Sequence, residues 1–157
     1  MSSVFFIADT HFGHRNILKY RPCFKSVEEH DETIISNWNR VVTKKKYVVW
    51  VLGDMCIKNK EYDMDNLIYR LNGNIRIITG NHDHIKYYPQ SMIWNGIWSK
   101  YDYWLSHAPL HPNELRGKRN IHGHVHNKTI DDNRYINVCC DVINYTPISL
   151  DEIRNKQ

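Results

Sequence analysis

Short polar clusters follow runs of strand-forming residues at four places in this chain, and this recurrence restricts the fold more than any other feature. The runs at residues 4–8, 48–52, 75–79 and 103–105 lead into Asp9-Thr10-His11, Gly53-Asp54, Gly80-Asn81-His82-Asp83 and Ser106-His107. In open α/β folds, ligands bind in a crevice outside the carboxyl ends of the strands. We therefore expect an α/β protein whose polar clusters meet in one crevice.

A fifth cluster, Gly123-His124-Val125-His126, adds two histidines, and six of the ten histidines in the chain lie in or beside the clusters. A single Asp or His after an apolar run is often a helix cap or a hydrogen-bonded core residue. Recurrence at several strand ends favours metal ligands instead. Carboxylate, amide and imidazole groups without a thiolate favour manganese, iron, cobalt, nickel or zinc. The sequence indicates a hydrolase with two divalent transition-metal ions; we expect manganese, with iron, zinc, nickel or cobalt as alternatives.

In order and spacing the clusters resemble the pattern of the calcineurin-like metallophosphoesterase family: Asp-x-His, Gly-Asp, Gly-Asn-His-Asp/Glu, a lone His and Gly-His-x-His. All five blocks occur here in that order. The resemblance implies that one metal is bound by Asp9, His11 and His126, that the other is bound by Asn81, His107 and His124, and that Asp54 bridges them. Two ions about 3.5–4 Å apart would lower the pKa of a bound water to about 7, so that a bridging hydroxide attacks phosphorus.

The resemblance also implies roles on the substrate side of the site. His82 would donate a proton or a hydrogen bond to the leaving oxygen, and Asp83 would orient its imidazole. A carboxylate beside a histidine raises the pKa of the ring, which suits a general acid near pH 7. Asn81 is expected to face the substrate as well as the metal. The alternative for His82 is that it only caps the turn.

His14 and Arg15 directly follow Gly13, and we expect them to begin a short helix. The start of a helix with a basic side chain is a natural anion site, so either residue could bind a substrate phosphate. Simple exposure to solvent is the alternative. For His122, on the strand before Gly123, we expect a hydrogen-bonded structural role.

The expected fold is a four-layer α/β/β/α sandwich of two mixed sheets flanked by helices, which the resemblance implies and the residue pattern supports. A βαβ rhythm predicts a parallel first sheet, with one helix starting at the Ser26 and Glu29 capping box and another over residues 64–71. From Ser91 onward we expect a second, more antiparallel sheet with strands at 92–94, 100–105, 120–122 and 134–140. The 157 residues fit one domain, 1–157, and residues 135–153 resemble the ending of small stand-alone metallophosphoesterases, which suggests a complete domain.

Charge and cysteine content limit the partners and the compartment. A net charge of +4 is only mildly basic, and short basic runs such as Lys58 with Lys60 are typical of solvated loops. Because no basic stripe interleaved with aromatic residues is evident, no obligate nucleic-acid partner is expected.

The apolar runs are too short for a bilayer, and no secretory leader precedes Val4. The four cysteines lack a Cys-x-x-Cys spacing, so we expect a protein of the reducing cytoplasm, without a membrane partner. Nothing in the sequence indicates an oligomeric state.

The expected activity is hydrolysis of small-molecule phosphoesters, above all phosphodiesters such as nucleotides. Gly53-Asp54 is followed by Met55-Cys56 and not by the Asp-Arg pair of the phosphoprotein phosphatases, which argues against protein phosphate as substrate. One alternative is a nuclease or nucleic-acid end-processing enzyme, although the chain has no room for an added DNA-binding element. Another is a non-catalytic scaffold, like the related subunit of retromer, which the intact set of ligands and His82 argues against.

Overall fold

A computed structural model describes residues 3–56 and 63–156 of the chain, in which eight strands form two sheets. The strands are β1 Val4–Ile7, β2 Val48–Leu52, β3 Asn74–Ile78, β4 Trp98–Lys100, β5 Tyr103–Ser106, β6 Arg119–His122, β7 Tyr135–Asn137 and β8 Ile148–Ser149. The α-helices are α1 Val27–Val41, α2 Met64–Arg70 and α3 Leu150–Asn155, and 3-10 helices span Arg15–Lys19, Ile85–Tyr87, Gln90–Met92 and Pro112–Glu114. The basic run at Lys58 and Lys60 lies outside the described residues.

The first sheet has the strand order β3-β2-β1-β8. The first three strands are parallel, as predicted, and β8 pairs antiparallel with β1. In β2, four of the five residues are buried because both faces of the sheet are covered. An all-apolar strand of this kind, Val48–Leu52, is typical of parallel sheets between two packed layers.

Helix α1 begins where its capping residues predict. The Ser26 side chain accepts a hydrogen bond from the Glu29 backbone N–H at 3.1 Å, and the Glu29 carboxylate accepts one from Lys25 N–H at 2.7 Å. Its buried stripe, Ile34, Ile35 and Trp38, packs with α2 against one face of the first sheet. This packing confirms the helical periodicity read from the sequence.

The second sheet has the order β4-β5-β6-β7, and its pairing corrects the expectation of a mainly antiparallel sheet. Only β4 and β5 are antiparallel, whereas β5-β6 and β6-β7 are parallel. The segments 107–118 and 123–134 look like turns in the sequence, but they are long enough to return the chain to the start of the next parallel strand.

Three of the predicted strands in this region also differ from the observed ones. Residues 100–105 are not one strand, because Tyr101 and Asp102 have φ values of 56° and 70° and form the turn of the β4-β5 hairpin. Residues 92–94 are not a strand either: a 3-10 helix ends at Met92, and Ile93 makes a single bridge to Ile77. The last strand, expected over 134–140, is limited to β7.

The two sheets pack face to face, which confirms the predicted α/β architecture of two mixed sheets. Phe6, Trp50 and Leu52 of the first sheet share a buried core with Leu105 and Ile121 of the second. Helices α1 and α2 cover the other face of the first sheet. None of the helices in the described part of the chain is long and apolar enough to cross a membrane.

The segment between β5 and β6 covers the outer face of the second sheet. Trp104 Nε1 donates to the Leu115 carbonyl at 2.9 Å, and Leu110 N–H donates to the buried Asn120 side chain at 2.9 Å. The segment from Pro109 to Lys118 is therefore a packed loop that contains the 3-10 helix Pro112–Glu114.

The carboxyl ends of strands from both sheets meet at one edge of the sandwich. Ala8, directly after β1, donates its N–H to the Val138 carbonyl at 2.8 Å, and the Ala8 carbonyl accepts from Cys140 at 3.0 Å. This parallel bridge joins the end of the first sheet to the chain that leaves β7. The polar clusters that follow the strands are thereby brought together.

Candidate metal centre

Backbone strain is concentrated in the polar clusters. Residues with positive φ include Asp9 (55°), His11 (49°), Asp54 (52°), His124 (72°) and His126 (51°). A non-glycine residue in the left-handed region costs on the order of 1–3 kcal/mol when the surroundings impose it, and such residues concentrate at functional sites. Five strained residues in three loops indicate that this backbone conformation serves to point the side chains in particular directions, at a cost in local stability.

The loops after β1 and β2 support each other through backbone hydrogen bonds. Asp9 N–H donates to the Gly53 carbonyl at 3.0 Å, and His11 N–H donates to the Asp54 carbonyl at 3.0 Å. Gly53 itself has a φ of 90°, a conformation that glycine adopts without a steric penalty. The turn therefore reverses at Gly53 and presents Asp54 to the crevice.

One group of donor atoms contains Asp9 Oδ1, His11 Nε2 and His126 Nε2. Asp9 Oδ1 lies 3.8 Å from His11 Nε2 and 3.7 Å from His126 Nε2, and the two imidazole rings stack at 5.3 Å. The other carboxylate oxygen, Asp9 Oδ2, accepts hydrogen bonds from His124 N–H at 2.8 Å and from the Cys139 thiol at 3.1 Å. These bonds fix the direction in which Oδ1 points.

Two of these donor atoms are buried without a hydrogen-bond partner in the described part of the chain: Asp9 Oδ1 and His11 Nε2. Buried polar atoms are almost always satisfied, so an unsatisfied pair that converges on one point needs an explanation. A carboxylate oxygen and two imidazole nitrogens are suitable ligands for a divalent transition metal. This first group therefore fits a metal ion.

A second group surrounds His107 Nε2. This nitrogen lies 3.0 Å from Asn81 Oδ1, 3.2 Å from His124 Nδ1 and 3.5 Å from Asp54 Oδ2. His107 Nδ1 donates to the Leu52 carbonyl at 2.8 Å, so in the neutral ring the lone pair of Nε2 faces the other three atoms. Lone pairs that converge in this way repel one another unless a proton or a metal ion lies between them.

The two groups adjoin each other. Ligand atoms of Asp9, His11 and His126 lie within 4.8 Å of one another, and so do those of Asp9, Asp54 and His107. Asp9 belongs to both sets, and Asp54 belongs to the second. Both donor sets fit a metal, which makes a dinuclear centre the arrangement that this geometry can hold.

The pKa values of the histidines reflect the same geometry. Burial lowers the pKa of His11 to about 3, although the Asp54 charge opposes it, so the ring is neutral and able to act as a ligand. Burial also acts on His107, but its interactions with the Asp54 carboxylate and the Leu52 carbonyl outweigh burial and raise the pKa to about 9. The second group thus attracts positive charge to the point where a metal would bind.

The sequence did not reveal the groups that hold the first donor set from behind. His126 Nδ1 donates to Asp141 Oδ2 at 3.0 Å, which leaves Nε2 for a metal. Asp141 accepts two hydrogen bonds from Arg21, through Nε at 3.0 Å and Nη2 at 2.9 Å. Arg21 is 1% exposed and also donates to the carbonyls of Asp9 at 2.6 Å and Thr10 at 3.3 Å. Because these partners are far apart in sequence, no local spacing could have identified them.

Asp83 does not orient His82, and that prediction is wrong. Its carboxylate accepts hydrogen bonds from the backbone N–H of Asp54 at 2.7 Å, Met55 at 3.0 Å and Gly80 at 2.8 Å. The Tyr88 hydroxyl donates a fourth bond at 2.6 Å. Asp83 therefore fastens the loop after β2 to the loop after β3, and its hydrogen bonds within the described chain go to these donors and not to the His82 imidazole.

The structure places both His82 and His14 beside His11. Their rings lie 5.8 Å and 5.7 Å from the His11 ring, and His82 N–H donates to Asp54 Oδ1 at 2.9 Å. His14 is the residue before the 3-10 helix Arg15–Lys19, as predicted, and its Nδ1 is buried without a partner among the described residues. Arg15 is exposed and does not line the cavity, so the structure brings His14 and not Arg15 to the site.

His122 has the structural role expected of it. The side chain is 1% exposed, and Nδ1 donates to the Gly123 carbonyl at 2.9 Å. Burial lowers the pKa of this ring, which keeps it neutral inside the second sheet.

A cavity of about 520 Å³ opens in front of the first donor group. Its lining residues are His11, His14, Ile17, Tyr20, His82, His124, Val125, His126, Asn127, Lys128 and Asp141. A volume of this size lies within the range of small-molecule binding sites. Five histidines line this cavity, and two of them, His11 and His126, belong to the first donor set.

The two face-to-face mixed sheets and the adjoining Asp and His donor sets at their carboxyl edge define a metal-dependent phosphoesterase. The sequence matches the family described as Calcineurin-like phosphoesterase over residues 2–154, and the chain belongs to that family. It is 41% identical over 164 residues to Uncharacterized protein MJ1445 of Methanocaldococcus jannaschii, an alignment that covers 98% of this chain and 90% of the relative.

Two solved structures share the fold. The protein of unknown function AQ665 from Aquifex aeolicus has a TM-score of 0.74 at 25% identity, with 98% of each chain covered. Pseudomonas putida nuclease MPE has a TM-score of 0.54 at 18% identity, with 80% of this chain and 62% of that chain covered. At 18% identity, the second likeness concerns the fold alone.

Proposed function

We propose that the chain is a dinuclear-metal phosphodiesterase that acts on small nucleotide-like phosphoesters. The observation that carries the proposal is the convergence of two adjoining donor sets, with unsatisfied buried atoms in the first and facing lone pairs in the second. Asp9, His11 and His126 would hold one ion, Asn81, His107 and His124 the other, and Asp54 would bridge them. Manganese is the proposed metal, and the reducing cytoplasm the proposed compartment.

Two bound divalent ions would supply Lewis acids for the phosphoryl oxygens and an activated water as nucleophile. The chain itself would position the substrate through His14 and His82, whose rings both lie beside His11. We assign the proton donor for the leaving oxygen to His82, whose backbone is held by Asp54 Oδ1. Asp83 would act one step further back, by fixing the two loops that carry Asp54 and Asn81.

The size of the cavity and the charge of the chain support a small substrate. A volume of about 520 Å³ can enclose a nucleotide-sized group, whereas a net charge of +4 would neutralise few phosphates of a polymer. A nuclease is the second candidate. The observation that favours it is the fold shared with Pseudomonas putida nuclease MPE.

The central test is hydrolysis of bis-para-nitrophenyl phosphate by the purified chain with manganese. We expect turnover that chelator abolishes, and almost complete loss of turnover in Asp54→Ala, because both ions would depend on that carboxylate. Asp131→Ala removes an exposed carboxylate outside the cavity and serves as the matched control with unchanged rate. Wild-type turnover in Asp54→Ala would contradict the dinuclear proposal.

A further inference from the structure

The cavity extends beyond the histidines to an exposed aromatic ring. Tyr20 is 77% exposed, yet it lines the same cavity as His11, His82 and His126. Ile17 and Val125 add apolar surface to the lining, and Asn127 and Lys128 add hydrogen-bond donors. A planar ring, apolar side chains and polar donors in one recess are suited to a flat group with a polar edge.

The wall that carries Tyr20 is held in place by its neighbours. Tyr20 directly precedes Arg21, whose guanidinium is buried and makes hydrogen bonds to Asp141 and to the Asp9 and Thr10 carbonyls. Ile17, one turn earlier, is 3% exposed, and its carbonyl accepts from Tyr20 N–H at 2.9 Å. The exposed ring therefore stands on fixed backbone, so little conformational entropy is lost when a ligand contacts it.

A second wall of the cavity, formed by residues 125–128, is also fixed. Asn137 Nδ2 donates to the His126 carbonyl at 2.7 Å and to the Lys128 carbonyl at 3.3 Å. Lys128 N–H donates to the Val125 carbonyl at 3.0 Å, which closes a turn over residues 125–128. Because both walls are held by buried or hydrogen-bonded neighbours, the recess between them is formed before a ligand binds.

We propose that this recess is a nucleoside subsite in which a nucleobase stacks on Tyr20 while the attached phosphate reaches the histidines. Asn127 and Lys128 supply donors for the polar edge of the base. An aliphatic alcohol of similar size would use neither the ring nor these donors, so the recess selects phosphoesters with a planar heterocycle. The inference rests on the proposed phosphodiesterase function and specifies its substrate class.

A pair of substrates with one leaving group isolates this subsite. Thymidine 5′-(para-nitrophenyl phosphate) and methyl para-nitrophenyl phosphate both release para-nitrophenolate and differ only in the group that stays on phosphorus. We expect the wild type to prefer the thymidine ester, and Tyr20→Ala to reduce that preference in kcat/KM by about tenfold, a typical loss for one aromatic–base stack. Tyr20→Phe keeps the ring and should keep the preference.

The matched control is Tyr69→Ala, which removes an equally exposed tyrosine, 84% exposed, from helix α2 outside the cavity. It should leave the rates with both esters unchanged. A wild type that hydrolyses both esters with no preference, or a Tyr20→Ala variant that loses both rates equally, would overturn the subsite while the proposed function stands.

A binding measurement makes the subsite testable without turnover. Calorimetric titration with thymidine 5′-monophosphate and with inorganic phosphate should show that Tyr20→Ala weakens the nucleotide about tenfold more than it weakens phosphate. Equal changes for the two ligands would overturn the subsite. If neither ester is hydrolysed but the nucleotide still binds in a Tyr20-dependent way, the subsite stands and the proposed activity fails.

Discussion

At the scale of single residues, the candidate metal centre contains side chains whose burial, hydrogen bonding and backbone conformation are unfavourable for their residue types. His11 is buried, Asp9 Oδ1 has no hydrogen-bond partner within the described chain, and both residues have left-handed backbone. Burial raises the pKa of Asp9 and lowers that of His11. Each feature costs stability in the protein without metal, and a bound cation would offset the costs together.

For His82, we predict a catalytic role without metal binding. His82→Ala should keep both ions and slow turnover by about a hundredfold to ten-thousandfold, the usual contribution of a positioned general acid. The loss should be smaller with a nitrophenolate leaving group, since an acidic phenol needs little protonation. Rates and metal content would be measured on the same samples.

The matched control is His84→Ala, which removes an exposed imidazole two residues away. It should change neither quantity. Loss of a metal ion from the His82 variant would make this residue a ligand and contradict the proposed role.

At the scale of elements, loops that follow different strands are tied by buried charges. Asp83 and Tyr88 hold the loops after β2 and β3 together. Arg21 and Asp141 tie the loop after β1 to the chain that leaves β7, behind His126. These ties explain how short loops keep strained backbone: the strain is distributed over hydrogen bonds to other elements.

The Asp141 tie predicts a selective loss of metal. Asp141→Asn keeps an acceptor for His126 but removes the charge, so the affinity of one of the two ions should fall by about 10- to 100-fold, the usual cost of losing a carboxylate behind a metal-binding histidine. Calorimetric titration with manganese would measure both ions. Asp131→Asn, in an exposed loop, is the control. Equal weakening of both ions, or of neither, would contradict the assignment.

The same variant should alter the pH dependence of stability. Burial opposes ionisation of Asp141, but its bonds with His126 and Arg21 prevail and hold the pKa of the carboxyl below the ordinary 3.8. A carboxyl with a depressed folded-state pKa stabilises the fold above its unfolded pKa, and this contribution is lost as the pH falls. This loss falls below the unfolded-state pKa, so urea unfolding at pH 7 and near pH 3 should show that the difference between wild type and Asp141→Asn shrinks at the lower pH.

At the scale of the whole molecule, the two sheets form a frame whose carboxyl edge carries all the candidate ligands. The bridge between Ala8 and Cys139 joins the sheets at this edge. The chain as a whole is only mildly basic, with a net charge of +4. The two sheets position a small metal centre, and the chain carries few excess positive charges with which to bind a long polyanion.

The small centre and the low net charge predict a preference for small substrates over polymers. At physiological salt and matched phosphate concentration, a dinucleotide or cyclic nucleotide should be hydrolysed faster than plasmid or single-stranded DNA, because few polymer phosphates would be neutralised. Phosphoproteins should be poor substrates. Release of nucleotide products would be followed chromatographically, with chelator-treated protein as the control. A clear preference for DNA would favour the nuclease alternative.

The family pattern made it possible to predict most of the candidate site from the sequence. Strand-end polar clusters at Asp9, Asp54, Asn81 and His107 predicted one crevice, and the structure brings those side chains together. The role of Asp83 was misjudged because adjacency in sequence to His82 says nothing about which backbone donors approach the carboxylate in space. For Arg15 the structure shows the solvent-exposed alternative, which the sequence had left open, since only the direction of the 3-10 helix decides which of two neighbours faces the cavity.

The sequence by itself determined the α/β class, the parallel first sheet, the start of α1 and the donor chemistry, because strand periodicity, capping residues and ligand type are local properties. The tertiary structure alone decided the parallel pairing in the second sheet, the Arg21–Asp141 support behind His126, and the position of Tyr20 at the cavity. Those features depend on which distant segments pack together. Contacts across as many as 120 residues of chain leave no periodic trace in the sequence, so only the folded chain reveals them.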